Sequence, residues 1–219
     1  MSSNPERLTD RKRLDIVEAA IAAFAEQGFD NASMDSIALR ASVSKRTVYN
    51  HFSSKDQLFE EIVRRLREKA TNALPLAFDP TVPLYDQLFE FCKRTIAFNS
   101  HPDQRTLCRI LISRFIHAPE LGHQMLGKGK VFEQTLLQWI DAASQAGQLQ
   151  DVEPEIASRQ LTGMMDSFCV WPQVLLNEET LSLESQHKIA AATVRMFLSA
   201  YGSPPLVIPP LALRPDHGA

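Results

Sequence analysis

The residues of this chain best suited to binding chemistry lie in a short basic segment that runs from Arg40 to Lys55. The segment has four charged residues, and all of them are cations: Arg40, Lys45, Arg46 and Lys55. The whole chain has a formal net charge of −3, so the positive charge is local, as in a protein that touches a polyanion with one small surface. Guanidinium and amide groups, here Arg46 and Asn50, can form paired hydrogen bonds with guanine and adenine.

The same segment has the pattern of a short helix with an apolar inner face and a polar outer face. The Ser44 hydroxyl can cap the N-terminus of this helix. Val43 and Val48 can form a hydrophobic staple across the cap, and Phe52 follows Val48 on the inner side. A recognition helix in the major groove of DNA requires such a polar outer face. The alternative, a solvated helix pair with a chance run of cations, explains the charge but not the cap, the staple and the phase.

A helix this short needs other helices to support it, and the sequence predicts three of them. One begins near Thr9 and ends at Gly28, a common C-terminal cap. A second is capped by Ser33 and leads into the basic segment. After the recognition helix, the capping box formed by Ser54 and Gln57 begins another helix that should link this region to the rest of the chain.

Bulk composition indicates an ordinary globular protein. The chain has 219 residues, of which 44% are hydrophobic and 22% charged. No apolar run is long enough to span a membrane, and the N-terminus lacks the apolar core of a secretory signal, so we expect a cytoplasmic protein. The three cysteines are far apart with no Cys-x-x-Cys pair, which predicts buried free thiols and no metal site.

The remainder of the chain predicts helices separated by proline and glycine. No stretch alternates with the period of a strand, so the fold class is all-α. Pro172 should kink or end the helix that contains it. The last segment, residues 203–219, holds five of the thirteen prolines and predicts an extended tail lying partly on the protein body. The candidate helices are near 84–99, 103–117, 119–127, 129–146, 154–176 and 180–201.

The stretch from Arg11 to about Arg67 resembles the DNA-binding domain of the TetR family of bacterial transcriptional regulators. The resemblance is carried by a helix ending in Glu-Gln-Gly-Phe, the segment 33–41, and the run Val-Ser-Lys-x-Thr-Val-Tyr-x-His-Phe at 43–52. It implies a three-helix helix-turn-helix domain followed by a larger helical ligand-binding and dimerisation domain. We therefore expect a DNA-binding domain at 9–71 with its helix-turn-helix at about 34–53, a second domain at 72–202, and a tail at 203–219.

The DNA-facing residues are predicted from this resemblance together with charge and helical phase. They are Ser33, Arg40, Ser44, Lys45, Arg46, Thr47, Tyr49, Asn50, His51 and Lys55. Two positions depart from the family pattern, because Ser42 and Arg46 stand where the family usually or often has glycine. Ser42 tolerates the turn at some cost if its backbone is left-handed. Arg46 is hypothesised to read guanine, and Asn50, one turn later, to reach adenine.

The second domain resembles the TetR family in plan, and residues 107–176 resemble its AefR-like subgroup. Its Met and aromatic side chains suit an adaptable cavity for a largely apolar effector, although core packing is the simpler explanation for any single one. The predicted lining is Phe89, Cys92, Ile96, Cys108, Ile112, Phe115, Phe132, Leu136, Trp139, Met164, Met165, Phe168 and Trp171. Candidate polar anchors are His101, Arg109, Arg114, His117 and His123.

The resemblance also implies a homodimer formed by the last two long helices. Small residues near the end of the chain permit a close helix approach, and apolar ones supply a seam. The alternative is a helix packed only on its own domain. The predicted dimer residues are Ile189, Ala192, Thr193, Met196, Phe197 and Ala200.

Together these features predict a ligand-responsive transcriptional regulator without a cofactor. It would be a repressor that binds a palindromic operator as a dimer and is released by a small-molecule effector. An activator without an effector is one alternative. A small helical enzyme or carrier is another, but the sequence has no nucleophile motif, glycine-rich phosphate loop or His-Glu helix pair.

Overall fold

The computed structural model describes residues 5–127, 131–204 and 208–209, with side chains for all of these except 5–8, 126–127 and 131–133. The described residues form helices and no strand apart from one isolated bridge between Leu149 and Gly202, so the all-α prediction is confirmed. The helices are α1 Pro5–Gln27, α2 Met34–Arg40, α3 Lys45–His51, α4 Lys55–Ala73, α5 Leu84–Ser100, α6 Pro102–His117, α7 Pro119–Gly127, α8 Val131–Gln145, α9 Pro154–Cys169, α10 Trp171–Leu175 and α11 Leu183–Tyr201.

The chain divides into two compact units. Unit 1 contains the described residues of Met1–Lys69 and Thr106–Gly129, and unit 2 contains those of Ala70–Arg105 and Lys130–Ala219. The sequence placed all of 72–202 in one domain. In the structure the second part of α6 joins unit 1 instead, because Leu107, Ile110 and Leu111 are buried in the core of that unit.

The core of unit 1 is built on the inner faces of α1 to α4. Ile16, Ala20 and Phe24 recur at helical spacing on α1 and are buried, as is Ile37 of α2. Helix α1 begins at Pro5, four residues earlier than predicted. Proline suits the first helical turn because its missing N–H would have no partner there. These helices form the support on which α3 rests.

Ser42, in the turn between α2 and α3, has the left-handed backbone conformation that the sequence suggested as a possibility. Ser42 has φ +54°. Its N–H donates to the Leu39 carbonyl (3.1 Å), and the Val43 N–H donates to the Ala38 carbonyl (3.1 Å). These two bonds form the Schellman end of a helix, where glycine is usual. A serine at this position therefore carries backbone strain.

Replacing Ser42 with glycine should stabilise unit 1. The left-handed conformation costs a non-glycine residue roughly 1–2 kcal/mol, and part of this gain is lost to the greater freedom of unfolded glycine. We expect a net gain of about 0.5–1 kcal/mol in the free energy of unfolding. Urea unfolding of the Ser42→Gly and Ser42→Ala variants measures it. An equal gain from alanine, which keeps the strain, would contradict this explanation.

Unit 2 packs α11 against α5 and α9, and α8 against α9. Its core includes Leu88 of α5, Trp139 of α8 and Phe197 of α11. The Trp139 indole N–H donates to the Gln87 side-chain oxygen at 3.0 Å. The long predicted helix at 154–176 ends at Cys169, and Pro172 lies at the start of α10, as its ring geometry requires.

Two smaller sequence predictions can be compared with the described residues. The three cysteines are free, with Cys92 and Cys169 buried and Cys108 partly buried. Most of the tail lies outside the described residues. Within it, Ile208 packs against the core of unit 2, and the Arg195 guanidinium donates to the Pro209 carbonyl. No helix in the described part of the chain is both long and apolar enough to cross a lipid bilayer.

Candidate nucleic-acid interface

Helix α3 has the two faces that its sequence predicts. The Ser44 side chain accepts a hydrogen bond from the Thr47 N–H at 3.1 Å and caps the helix. Val48 and Phe52 are buried in unit 1. The opposite face exposes Arg46 and Asn50. The inner pair therefore fixes α3 on the helices beneath it and leaves the polar face outward.

Arg46 and Asn50 keep their full hydrogen-bonding capacity. Neither side chain makes a hydrogen bond or ion pair with any residue that the structure describes. Tyr49 between them is 46% exposed, and the Lys45 ammonium lies 6.0 Å from its ring centroid. An exposed guanidinium and an exposed amide one turn apart can contact base edges without first breaking an internal bond.

Two of the predicted DNA-facing cations instead form ion pairs on the protein surface. The Arg40 guanidinium makes a two-bond pair with the Glu26 carboxylate. Lys45 lies 2.8 Å from Asp35, and the hydrogen bond that its ammonium donates to that carboxylate raises the pKa of the lysine. Exposed pairs of this kind contribute little to stability because water and salt screen them. Both cations can therefore exchange their carboxylate for a phosphate at little cost.

Lys55 has a structural role that the sequence did not reveal. Its ammonium donates to the Phe29 carbonyl at 2.8 Å and to the Asp30 carbonyl at 2.9 Å, and it lies 4.9 Å from the Phe29 ring centroid. Two of its three donors are thus used to hold the connection between α1 and α2. The partners are 25 and 26 residues away, beyond the reach of any local pattern.

A buried carboxylate joins α1 and α4 beneath α3. The Glu61 side chain is only 6% exposed and lies 3.0 Å from Arg13 and 2.9 Å from Arg65. Hydrogen bonds from Arg64 first, then from Arg65, lower the pKa of Glu61 to about 2 against the cost of burial. The Arg13 guanidinium also lies 4.4 Å from the centroid of the Phe52 ring. Glu61 thus positions the cation that packs on Phe52, the residue that caps the C-terminus of α3.

Two models of protein families match most of this chain. The model described as "Bacterial regulatory proteins, tetR family" matches residues 16–62, and the one described as "AefR-like transcriptional repressor, C-terminal domain" matches residues 86–203. The chain belongs to the TetR family of bacterial transcriptional regulators. This membership confirms the predicted DNA-binding regulator and its AefR-like second part, and it excludes the enzyme alternative.

Individual relatives agree with this membership. A crystal structure of a TetR family regulator from Pseudomonas syringae pv. tomato is 39% identical, with 89% of this chain and 99% of that chain covered and a TM-score of 0.80. The flavonoid-responsive regulator FrrA is 27% identical, with 89% and 99% covered and a TM-score of 0.74. The probable acrEF/envCD operon repressor of Escherichia coli is 31% identical over 63% of this chain and 64% of its own length.

The predicted effector-lining residues are divided between the two units of this TetR-family chain. Cys92, Ile96, Leu136, Trp139 and Met165 are at most 1% exposed and fill the core of unit 2, while Phe89 and Met164 pack against that core. Three members, Cys108, Ile112 and Phe115, belong to unit 1. Phe168 and Trp171 are about half exposed, and the Phe132 side chain lies outside the described residues.

The predicted polar anchors also serve other roles. His101 and His123 are exposed, and the His117 imidazole bonds the Ser113 carbonyl at 2.8 Å. Arg114 of unit 1 lies 3.1 Å from Asp56. A cavity of about 520 Å³ in unit 2 is lined by none of the predicted residues. It lies among the loop at 80–85, the turn at 147–148 and the residues 203–204.

The predicted dimer residues divide into exposed and buried ones. Met196 and Ala200 are exposed, and Ile189 and Ala192 are half-buried. Thr193 and Phe197 are 3% and 1% exposed within their own subunit. These two side chains face the core of unit 2, because α11 packs its apolar seam on α5 and α9. Thr193 and Phe197 are therefore not available for contact with a partner subunit in this conformation.

Replacing Asp35 with asparagine should tighten DNA binding at low salt. The change removes a negative charge beside α3 and releases Lys45 from its pair. We expect affinity to rise about two- to fivefold, with the gain shrinking as salt screens it. Fluorescence anisotropy at two salt concentrations measures this. Glu90→Gln is the matched control, because it opens a similar pair with Lys93 in unit 2. An equal gain from that control would contradict a local effect.

Proposed function

We propose that this TetR-family chain is a repressor that binds a palindromic operator as a homodimer and is released by a small-molecule effector. The observation that carries the proposal is the outer face of α3, where Arg46 and Asn50 are exposed above a buried inner pair. A two-fold dimer presents two such helices to successive major grooves. Acting on the chromosome, the protein would work in the cytoplasm.

DNA binding is tested with the region upstream of the chain's own gene. We expect a saturable complex whose affinity falls steeply with salt, because each neutralised phosphate releases counterions. A shuffled duplex of the same length is the control. Equal binding to both duplexes, or no binding at low ionic strength, would overturn the proposal.

The dimer proposal is supported by apolar side chains exposed along α9 to α11. Phe168, Trp171, Leu176 and Met196 are between 46% and 71% exposed, and exposed groups of this kind mark interaction surfaces. Gly163 in the middle of α9 adds a second observation. Its backbone needs no positive φ, and an added Cβ would meet no atom within 4 Å. A helical glycine costs about 1 kcal/mol, which a close approach by a partner helix would explain.

Replacing Gly163 with tryptophan should therefore convert the dimer to a monomer without unfolding the subunit. Its Cβ would meet no atom within 4 Å in the isolated chain, and Gly163 is exposed, but the indole would collide with a partner helix at that position. Light scattering after size exclusion gives the mass, and circular dichroism checks the helices. Gly163→Ala, which adds a single methyl group, is the control and should weaken the dimer much less than tryptophan does. A tryptophan variant that remains dimeric would place the interface elsewhere.

The effector proposal is supported by buried polar groups in unit 2. The Ser100 hydroxyl and the Gln104 side-chain oxygen are buried and have no hydrogen-bond partner among the residues that the structure describes. Each such group costs about 1–3 kcal/mol, which a bound molecule with hydrogen-bond donors could remove. Burial also raises the pKa of Asp166, on α9, to about 6.

Contacts within unit 2 bring these chain segments near one another. The Asn99 amide nitrogen lies 3.9 Å from the Cys169 sulfur, one turn beyond Asp166. The Arg105 guanidinium donates to the Glu178 carbonyl at 3.3 Å. The effector class that fits is a largely apolar molecule with hydroxyl or amine donors. Operator release across a panel of flavonoids and matched molecules without hydroxyls tests it. Release by the hydroxyl-free set alone would contradict the class.

A further inference from the structure

Unit 1 contains a groove that the proposed function does not use. It has a volume of about 310 Å³ and lies between the end of α1 and the second part of α6. Thr106, Arg109, Ile110 and Ser113 form its α6 wall, and their spacing of three, four and seven residues places them on one helix face. An engineered apolar cavity of about 150 Å³ binds benzene, so this groove has room for a bicyclic molecule.

The floor of the groove is apolar. Phe24 and Ile110 line it and are 3% and 6% exposed. Phe29 lines the groove as well, and its ring centroid is 5.1 Å from that of Phe24. Two aromatic side chains and one branched aliphatic side chain suit the faces of a flat ring system.

Two polar groups of opposite character meet at the rim. Arg109 supplies a guanidinium, which only donates hydrogen bonds. Helix α1 ends at Gln27, so the carbonyls of its last turn point out of the helix and carry partial negative charge. The Gly28 N–H donates to the Phe24 carbonyl and the Asn31 side-chain amide donates to the Gln27 carbonyl, both at 3.0 Å. The acceptor that this turn offers at the groove is therefore the carbonyl of Ala25, a residue that lines it. A ligand must therefore accept from one side and donate to the other.

Phe29, which forms one wall of the groove, is held in position by contacts within the protein. The Arg114 guanidinium and the Lys55 ammonium lie 4.1 Å and 4.9 Å from the centroid of its ring. Lys55 also bonds its carbonyl, and Arg114 is anchored by Asp56. A wall fixed in this way lowers the entropic cost of binding.

We propose that this groove binds a small neutral aromatic alcohol of about two fused rings. A hydroxyl accepts from Arg109 and donates to the end of α1, whereas a carboxylate can accept from Arg109 but has no hydrogen to donate to that end. The rings would cover Phe24, Phe29 and Ile110. The site lies in unit 1 and does not depend on the effector proposal, whose polar groups belong to unit 2.

The test uses the full chain and two probes, 2-naphthol and 2-naphthoate, with fluorescence titration and amide NMR. We expect 2-naphthol to bind more tightly than 2-naphthoate and to shift the Gly28 amide signal. Ser113→Phe fills the groove, and Arg109→Met removes the guanidinium at similar length. Each should weaken 2-naphthol binding by about tenfold or more. Ile116→Phe is the control, because Ile116 is exposed on the same helix and does not line the groove.

Three results would overturn the proposal. The first is no 2-naphthol binding up to its solubility limit, or binding that shifts no amide of unit 1. The second is unchanged binding in both Ser113→Phe and Arg109→Met, which would place the molecule elsewhere. The third is tighter binding of 2-naphthoate, which would make the groove an anion site and contradict the predicted class.

Discussion

Replacing Arg46 with alanine should weaken operator binding by about 1–3 kcal/mol per half-site, or about 2–6 kcal/mol for a dimer on both. The guanidinium is exposed and makes no bond within the described residues, so its loss should leave the fold unchanged. Because a bidentate contact reads one base pair, the loss should be confined to the operator. Anisotropy on the operator, and on duplexes changed at each position in turn, measures this.

A cation in the same unit but outside α2 and α3 provides the comparison for Arg46. Lys69 is exposed near the end of α4. Lys69→Ala should reduce affinity slightly and equally on all sequences, as the loss of one general charge would. If Arg46→Ala also weakened every duplex equally, Arg46 would be a phosphate contact and the hypothesis of guanine reading would be wrong.

Sequence alone predicted the features of α3 because they are local. The cap at Ser44 and the inner position of Val48 depend on residues within one or two helical turns, where backbone geometry fixes the spacing. The strained turn at Ser42 could be anticipated for the same reason, because helix ends of this kind favour glycine. Local sequence rules therefore predicted both the exposed polar face of α3 and the backbone strain at Ser42.

Contacts between distant segments were not predictable in the same way. Helical periodicity shows which face of α4 or α6 is buried but not which helix covers it. The sequence therefore predicted Lys55 of α4 as a DNA contact but not its bonds to the α1–α2 connection. The second part of α6 was assigned to the other domain because its apolar face could have packed in either core. Pairing across 20 or more residues requires the tertiary structure.

The sequence also could not separate core residues from residues that line a pocket or a dimer interface. Residue type and phase predict burial, and Trp139 and Phe197 are indeed buried. A lining residue and a core residue have the same sequence pattern, since both are apolar and inward. The difference is whether the neighbouring side chains leave space, which depends on packing between helices. Exposure of Met196 beside the buried Phe197 on α11 could likewise be decided only once its neighbours were placed.

Replacing Glu61 with glutamine should destabilise unit 1 by about 3 kcal/mol at neutral pH. The three arginines around it lower its pKa from 4.5 to about 2, and each pKa unit corresponds to about 1.4 kcal/mol. Because the folded pKa is depressed, this stability is present above the unfolded pKa. It is lost as pH falls from about 5 to about 2. The destabilisation caused by the variant should therefore shrink over that interval.

Amide hydrogen exchange in α1 and α4 measures the opening of unit 1 separately from that of unit 2. Glu68→Gln is the control, because Glu68 is 59% exposed and pairs with Arg64 on the surface, and it should cost less than about 1 kcal/mol. The Glu61 variant should also free Arg13 from its position against Phe52 and loosen the end of α3. Equal exchange in the two variants, or a difference independent of pH, would show that the carboxylate is an ordinary surface charge. The α3 helix would then depend on its apolar inner face alone.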